Sequence, residues 1–209
     1  MSRALIVAIV LAGILAGIAA AHFFRPSASA APPLERAVLF QDPRPLPRAE
    51  LSGPGGAGFG TASLAGRWTF LFFGFVNCPD ICPTTLATLA AVERSLADLP
   101  GPERPAVAFV SVDPARDTPE VLARYVAHFD AGFEGVTGSA AAINAWTRSL
   151  GVAVVIGPPA PDGSYSVDHS AAIFLVDPEA RAAALFGSPH EAGAIARDYR
   201  RIIAARRGG

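Results

Sequence analysis

Residues 68–83 read WTFLFFGFVNCPDICP, an apolar run followed by two cysteines four positions apart. A continuous apolar run of this length is typical of a strand that is buried on both faces, as in a parallel sheet. Pro83 suits the first turn of a helix, and the residues that follow it show helical apolar spacing. We therefore predict a strand over 68–75, two thiols just beyond its end, and a helix over 84–99.

The rest of the chain alternates further strands and helices. Apolar runs predict strands over 106–112, 132–137, 171–176 and 182–186, and helical spacing predicts helices over 119–129, 139–150 and from a capping box at 188–191 to about 205. This order predicts the α/β class, with a sheet of mixed direction flanked by helices. Such sheets bind ligands at the carboxyl ends of their parallel strands. Cys78, Cys82 and Asp113 fall at that edge.

The N-terminal region predicts a membrane segment. Residues 4–21 carry no charge, which is enough for a short transmembrane helix and long for the core of a signal peptide. We expect an uncleaved single-pass anchor over 4–24, with the domain on the periplasmic side of a bacterial inner membrane. The predicted organisation is an anchor or signal segment over 1–25, a linker rich in proline and alanine over 26–55, and one domain over 56–209.

Charge excludes one large class of partners. The chain has 17 basic residues, all of them arginine, against 18 acidic ones, and its net charge is −1. No basic run rises above this background. Nucleic-acid binding, which needs a basic patch or stripe, is therefore not expected.

The two cysteines predict sulfur chemistry. Side chains four apart at the start of a helix share one face, and the helix N-terminus favours the thiolate form, which is both a nucleophile and a metal ligand. Metal capture and disulfide exchange are both open at this point. A purely structural disulfide is the weaker alternative, because a bridge that closes so short a loop removes little chain entropy.

The histidines supply one candidate for a third ligand. Structural zinc needs four ligands, whereas two thiolates and an imidazole suit copper. The single methionine is Met1, which excludes a copper site with an axial methionine. His22 ends the apolar segment, His128 lies late in a helix, and His190 lies at a helix entry. His169 lies two positions before the strand predicted over 171–176, where the strand order brings it beside the thiols.

Three segments resemble the signatures of a known family. They are FGFVNCPDICP at 73–83, SVDPARDTPE at 111–120 and YSVDHS at 165–170, and their order and spacing are similar to those of the Sco/SenC family. The resemblance covers about residues 50–205. It implies a thioredoxin-like fold, a membrane tether and a copper-binding protein that helps to build the binuclear copper centre of cytochrome c oxidase.

The resemblance also implies roles for particular residues. Carried over residue by residue, Cys78, Cys82 and His169 are the ligands of copper, as Cu(I), Cu(II) or both. Asp113 belongs to the second signature and is a candidate for a group that supports the ligands without binding the metal. The implied partners are the copper-bearing subunit of cytochrome c oxidase and a copper donor protein or thiol reductase. The chain is then a metallochaperone rather than an enzyme.

A second function competes with copper delivery. A thiol–disulfide oxidoreductase that keeps the oxidase cysteines reduced would use Cys78 and Cys82 as its catalytic redox pair. Dedicated oxidoreductases of this fold have two residues between the cysteines, whereas this chain has three, and His169-Ser170 stands where they have a cis-proline. A peroxiredoxin is weaker still, since Phe75 stands three positions before the first cysteine. In an oxidising compartment we expect the metal-free protein to form a Cys78–Cys82 disulfide.

Overall fold

The computed structural model describes residues 2, 3, 5, 9, 11–17 and 33–207. Residues 11–17 are helical, and no helix in these described ranges is long and apolar enough to cross a membrane. Much of the anchor predicted over 4–24 lies outside the described residues. The anchor therefore stays a prediction.

Within 33–207 the chain forms ten strands and five α-helices. The strands are β1 (Ala37–Pro45), β2 (Leu51–Ser52), β3 (Gly58–Phe59), β4 (Thr69–Gly74), β5 (Ala106–Ser111), β6 (Glu134–Val136), β7 (Val154–Ile156), β8 (Val167–His169), β9 (Ile173–Val176) and β10 (Arg181–Phe186). The helices are α1 (Thr61–Leu64), α2 (Ile81–Ser95), α3 (Pro119–Ala127), α4 (Ala140–Leu150) and α5 (Ala192–Arg207).

Six strands form one mixed sheet in the order β1-β10-β9-β4-β5-β6. Strands β4, β5 and β6 run parallel, while β9 is antiparallel to β4 and to β10. The predicted α/β class with a mixed sheet is confirmed. Gly74 pairs with Ser111, so β4 and β5 end at the same edge, and the chain leaving each of them enters the same region.

The apolar run at β4 is explained by burial on both faces of the sheet. Every residue of β4 is buried, and neighbouring side chains pack in opposite directions. Phe70 contacts Tyr199 of α5, with ring centroids 5.5 Å apart, whereas Phe73 contacts Phe174 of β9. Helices α2 and α5 also pack against each other. The central strand that ends in the thiol segment is therefore held rigidly from both sides.

The linker predicted over 26–55 is wrong in part, because β1 lies within it. This strand is the edge strand beside β10, and its register shifts between Leu39 and Arg44. Prolines are tolerated at a sheet edge and at irregularities, which is why a proline-rich stretch can still form a strand. Leu46 and Leu51, further along the same stretch, are buried in the core.

A buried carboxylate fixes the entry to β1. The backbone N–H groups of Glu35, Arg36 and Ala37 all donate to the Asp198 carboxylate of α5, at 2.7–3.0 Å. Asp198 is completely buried. The domain therefore begins near residue 35, about twenty residues earlier than the predicted boundary at 56.

The capping box predicted at 188–191 is also wrong. Helix α5 begins at Ala192, and its first turn closes with the bond from the Ile195 N–H to the Glu191 carbonyl. Glu191, and not Ser188, therefore stands at the cap position. His190 instead lies 2.7 Å, through Nε2, from the Ala171 carbonyl oxygen, which connects this loop to the start of β9.

Candidate metal centre

The two cysteines lie in the loop after β4 and in the first turn of α2. Cys78 is half-buried and Cys82 is completely buried. The Cys82 backbone N–H donates to the Cys78 sulfur at 3.4 Å, so the helix N-terminus does point at a sulfur as predicted. Both thiols are free in this structure.

His169 completes a cluster of three donor atoms. Its Nε2 lies 3.3 Å from the Cys82 sulfur, and the Cys78 sulfur, the Cys82 sulfur and the imidazole nitrogen all lie within 4.8 Å of one another. Among the described residues, this is the one group of three or more such side chains close enough to hold a metal ion. Sequence reasoning selected the same three residues.

The imidazole is oriented for ligation. Its Nδ1 lies 3.0 Å from the Ser170 carbonyl oxygen, a contact that requires the proton on Nδ1 and leaves the Nε2 lone pair facing the sulfur. The ring packs edge-to-face with Phe72 and Phe75, at centroid distances of 6.1 and 5.8 Å. This burial lowers the pKa of His169, which favours the neutral form that binds metals.

A two-stranded ribbon, which was not predicted, positions His169. Strand β8 pairs with β7, and His169 lies directly opposite Val154. At the base of the ribbon, the Ser170 N–H donates to the Ala153 carbonyl and the Ala153 N–H donates to the Ser170 hydroxyl. Both strands have three residues, which is too short for an apolar pattern to be recognised in the sequence.

The Cys82 sulfur lies against the backbone of β4. A Cβ atom added at Gly74 would stand 2.7 Å from that sulfur and 2.6 Å from the Phe109 ring, so only glycine fits there. Burial raises the pKa of the Cys82 thiol well above its usual range. The prediction that the helix N-terminus makes both sulfurs acidic is therefore wrong for Cys82, because desolvation outweighs the dipole.

Sequence reasoning missed the role of Asp117 behind the thiol loop. Helix α3 is capped by Thr118, whose hydroxyl accepts from the Val121 N–H. The buried Asp117 carboxylate instead accepts from the Val76 N–H at 3.0 Å and from the Ser111 hydroxyl at 2.6 Å. It thereby ties the loop before Cys78 to the end of β5.

Asp113 lies beside the cluster and makes no hydrogen bond to the three candidate ligands. Its carboxylate accepts from the Tyr165 hydroxyl at 2.6 Å and forms an ion pair with Arg116. The Arg116 guanidinium stacks on the Tyr165 ring at 3.8 Å and lies 6.0 Å from the Phe75 ring centroid. Since Phe75 packs on His169, Asp113 reaches the cluster only through these intervening side chains.

The cluster opens into a small cavity of about 260 Å³ at the protein surface. Its lining consists of Phe75, Cys78, Pro79, Asp80, Ile81, Val167, Asp168 and His169. Cys78 is the sulfur on the solvent side, and Cys82 lies behind it. Two thiols and one neutral imidazole in this arrangement can capture a soft metal ion or exchange with a disulfide.

The fold and the cluster together define a thioredoxin-like domain with two thiols and an imidazole where the parallel strands end. Residues 50–204 match the model of the SCO1/SenC family, and the chain belongs to that family.

Individual relatives agree with this assignment. A protein of Stutzerimonas stutzeri named as copper-binding is 40% identical over 146 residues, which make up 68% of this chain and 69% of that protein. The mitochondrial SCO2 homologue of Bos taurus is 41% identical over 144 residues, covering 69% of this chain and 54% of the relative. The chain thus spans about half the length of its mitochondrial relative.

Solved structures show the same fold. The crystal structure of Arabidopsis thaliana ScoI with copper bound is 32% identical, with a TM-score of 0.70, and the match covers 76% of this chain and 98% of that one.

Proposed function

We propose that this chain binds copper through Cys78, Cys82 and His169 and delivers it during assembly of the binuclear copper centre of cytochrome c oxidase. The observation that carries the proposal is the cluster itself, three soft and borderline donor atoms within 4.8 Å of one another. The family and the copper-bound relative support the choice of metal.

The donor set fits copper better than the alternatives. Thiolate and imidazole ligands suit copper, and three ligands leave a coordination position for an incoming partner. Because burial raises the pKa of Cys82, the metal must displace a proton from that sulfur, so copper binding is expected to release protons. The neutral His169, with its proton held on Nδ1, needs no such step.

The wider setting is part of the same proposal. Residues 4–24 anchor the chain in the inner membrane, and the domain faces the periplasm, where it meets the copper-bearing subunit of the oxidase. A separate copper donor or thiol reductase prepares the site. Asp113 supports the ligands through Arg116 and Tyr165, whose contacts hold Phe75 against the histidine.

A thiol–disulfide oxidoreductase is the second candidate. The free, half-buried Cys78 favours it, because its sulfur lines the surface cavity and is within reach of a partner disulfide. Cys78 would then be the attacking sulfur, and the buried Cys82 would resolve the mixed disulfide. The burial of Cys82 disfavours rapid exchange, since a thiol with a raised pKa holds little thiolate.

His169→Ala separates the two functions. Under copper delivery we expect tight copper binding to be lost, because two thiolates remain without the third ligand, while both thiols stay titratable. Copper titration of the reduced protein and oxidase assembly in cells are the measurements. His128→Ala is the matched control, because His128 is exposed and outside the cluster. A His169→Ala variant that still supports assembly, while Cys78→Ser and Cys82→Ser do not, would favour the oxidoreductase.

A further inference from the structure

Strand β7 has an open edge beside the candidate metal centre. Its residue Val155 pairs with Asp168, and backbone hydrogen bonds at either end join Ala153 to Ser170 and Gly157 to Ser166. Hydrogen-bonded and non-hydrogen-bonded residue pairs alternate along an antiparallel ladder. The backbone N–H and C=O groups of Val154 and Ile156 therefore point away from β8. Within 33–207 no strand pairs with that side of β7.

The same strand exposes apolar side chains. In residues 33–207, three large aliphatic side chains are exposed: Val38 at 58%, Val155 at 61% and Ile156 at 55% of their surface. Two of the three are neighbours on β7. An open strand edge with exposed apolar side chains is a template for pairing with another chain.

An apolar cavity of about 500 Å³ lies against this strand. Its lining includes Val154 and Ile156 of β7, Ile143 of α4, and Tyr165 and Asp113. The Asp113 carboxylate is already engaged by Tyr165 and Arg116. Asn144 is the other polar side chain, apart from Asp113 and Tyr165, in the lining. The cavity therefore offers few groups to orient a polar small molecule, whereas the adjoining open edge offers the hydrogen-bonding groups that an extended peptide needs.

The surroundings carry negative charge. The linings of this cavity and of the metal cavity contain the carboxylates of Asp80, Asp113 and Asp168 and no lysine or arginine, and of the three only Asp113 is paired, with Arg116. Asp80 and Asp168 are exposed and form no ion pair with a described residue. A partner segment flanked by lysine or arginine would complement them.

We propose that β7 is the docking edge for an extended segment of the protein that receives copper from this chain. The segment adds as a strand to β7, an apolar side chain fills the cavity, and flanking basic residues face Asp80 and Asp168. Since adjacent strands lie about 4.8 Å apart, the added strand runs about 10 Å from the β8 backbone that carries His169. The inference rests on the proposed copper delivery, and it names the surface through which delivery occurs.

The test uses the full-length reduced chain, with and without copper, and the purified copper-binding domain of the oxidase subunit as the probe. Ile156→Glu places a charge at the cavity mouth on a side chain that is already half exposed, so the fold is retained. Val38→Glu is the matched control, because Val38 is equally exposed on β1, at the far edge of the main sheet. The dissociation constant of the complex, the rate of copper transfer and the copper affinity of each variant are measured.

We expect Ile156→Glu to raise the dissociation constant by about tenfold or more and to slow transfer in proportion, because a carboxylate must be buried or the cavity left empty. Val38→Glu should match the wild type, all variants should hold copper equally well, and added salt should weaken the wild-type complex. Equal binding by Ile156→Glu and the wild type, or no complex at all, would overturn the proposal.

Two further outcomes are distinguishable. A wild-type dimer that Ile156→Glu dissociates, measured by analytical ultracentrifugation, would show that the occupant is a second copy and would overturn the choice of partner. A wild-type chain that binds the probe through β7 but holds no copper would instead refute the proposed function, because the copper-free arm measures docking by itself.

Discussion

Two buried carboxylates, at different places in the fold, do different work. Asp198 in α5 accepts three backbone N–H groups from the start of β1 and an ion pair from Arg201. Asp117, behind the thiol loop, accepts only the Val76 N–H and the Ser111 hydroxyl, and burial raises its pKa. The buried charge of Asp198 is compensated by these hydrogen bonds and the ion pair. The buried charge of Asp117 has fewer partners, so its ionisation inside the protein costs free energy.

The two carboxylates differ in their effects: Asp198 stabilises the fold, and Asp117 changes the pKa of a nearby thiol. The contacts of Asp198 join distant parts of the chain and hold them rigidly, which is a purely structural task. Asp117 stands close enough to the thiols that its charge contributes to the raised pKa of Cys82. Charged groups with perturbed pKa values are more common at functional sites than in purely structural parts of a protein. Asp117 fits the first description and Asp198 the second.

The largest effect is expected from Asp198→Ala. Removing the carboxylate leaves three backbone N–H groups without their partner, and we expect a loss of about 2–4 kcal/mol in the free energy of unfolding. Urea denaturation is the measurement, and the copper site, built from other elements, should keep its affinity for the metal.

Glu35→Ala is the control for this prediction. Glu35 pairs with Arg197 and Arg201 at the surface, and its substitution leaves the backbone bonds to Asp198 in place. Exposed ion pairs contribute little, so the loss is expected to be much smaller than for Asp198→Ala. Equal losses for the two variants would show that surface charge, and not the buried capture of the backbone, holds β1 to the domain.

Asp117→Asn should change the chemistry more than the stability. The amide oxygen can still accept the Val76 N–H, so we expect a change of about 1 kcal/mol or less in unfolding free energy. Loss of the negative charge should lower the pKa of the Cys82 thiol and raise its alkylation rate at a given pH by about two- to tenfold. The measurement is the pH profile of alkylation at Cys82.

The pH dependence of stability gives a second readout of the same variant. A raised folded-state pKa means that the native protein binds this proton more tightly than the unfolded chain. Wild-type stability should therefore fall as pH rises from the ordinary aspartate value of 3.8 towards the folded value, and the Asn variant should lack this decline. An identical pH profile for both proteins would contradict the origin we assign to the raised pKa.

The sequence was sufficient for the parts of the fold that have long, uniform patterns. The buried runs of β4 and β5, the cysteine pair and His169 were all predicted, because burial on both faces and rare side chains leave strong local signals. Strand β1 was missed because prolines at a sheet edge resemble a linker, and the β7–β8 ribbon because three-residue strands have no period. The contacts of Asp117 depend on which strands lie side by side in the sheet. Local sequence patterns do not predict the order of strands.

The smallest effect concerns the turn between β9 and β10. Ala180 has a positive φ of 56°, a conformation that costs an L-residue energy and that glycine adopts freely. Ala180→Gly should therefore raise the free energy of unfolding by up to about 1 kcal/mol, measured by urea denaturation.

Ala183→Gly, at an equally buried position inside β10, is the matched control, and glycine there should destabilise the protein. A loss at both positions would mean that the methyl contacts of Ala180 outweigh its backbone strain.

The contact between the Cys82 sulfur and Gly74 sets the order of events at the metal centre. One side of this sulfur is closed by the sheet, and the cavity that opens to solvent is lined by Cys78 and His169 and not by Cys82. A thiol or ion that enters through this cavity would meet the half-buried Cys78 before the buried Cys82. The absence of a side chain at Gly74 thus places one sulfur of the candidate centre behind the other, as seen from the cavity.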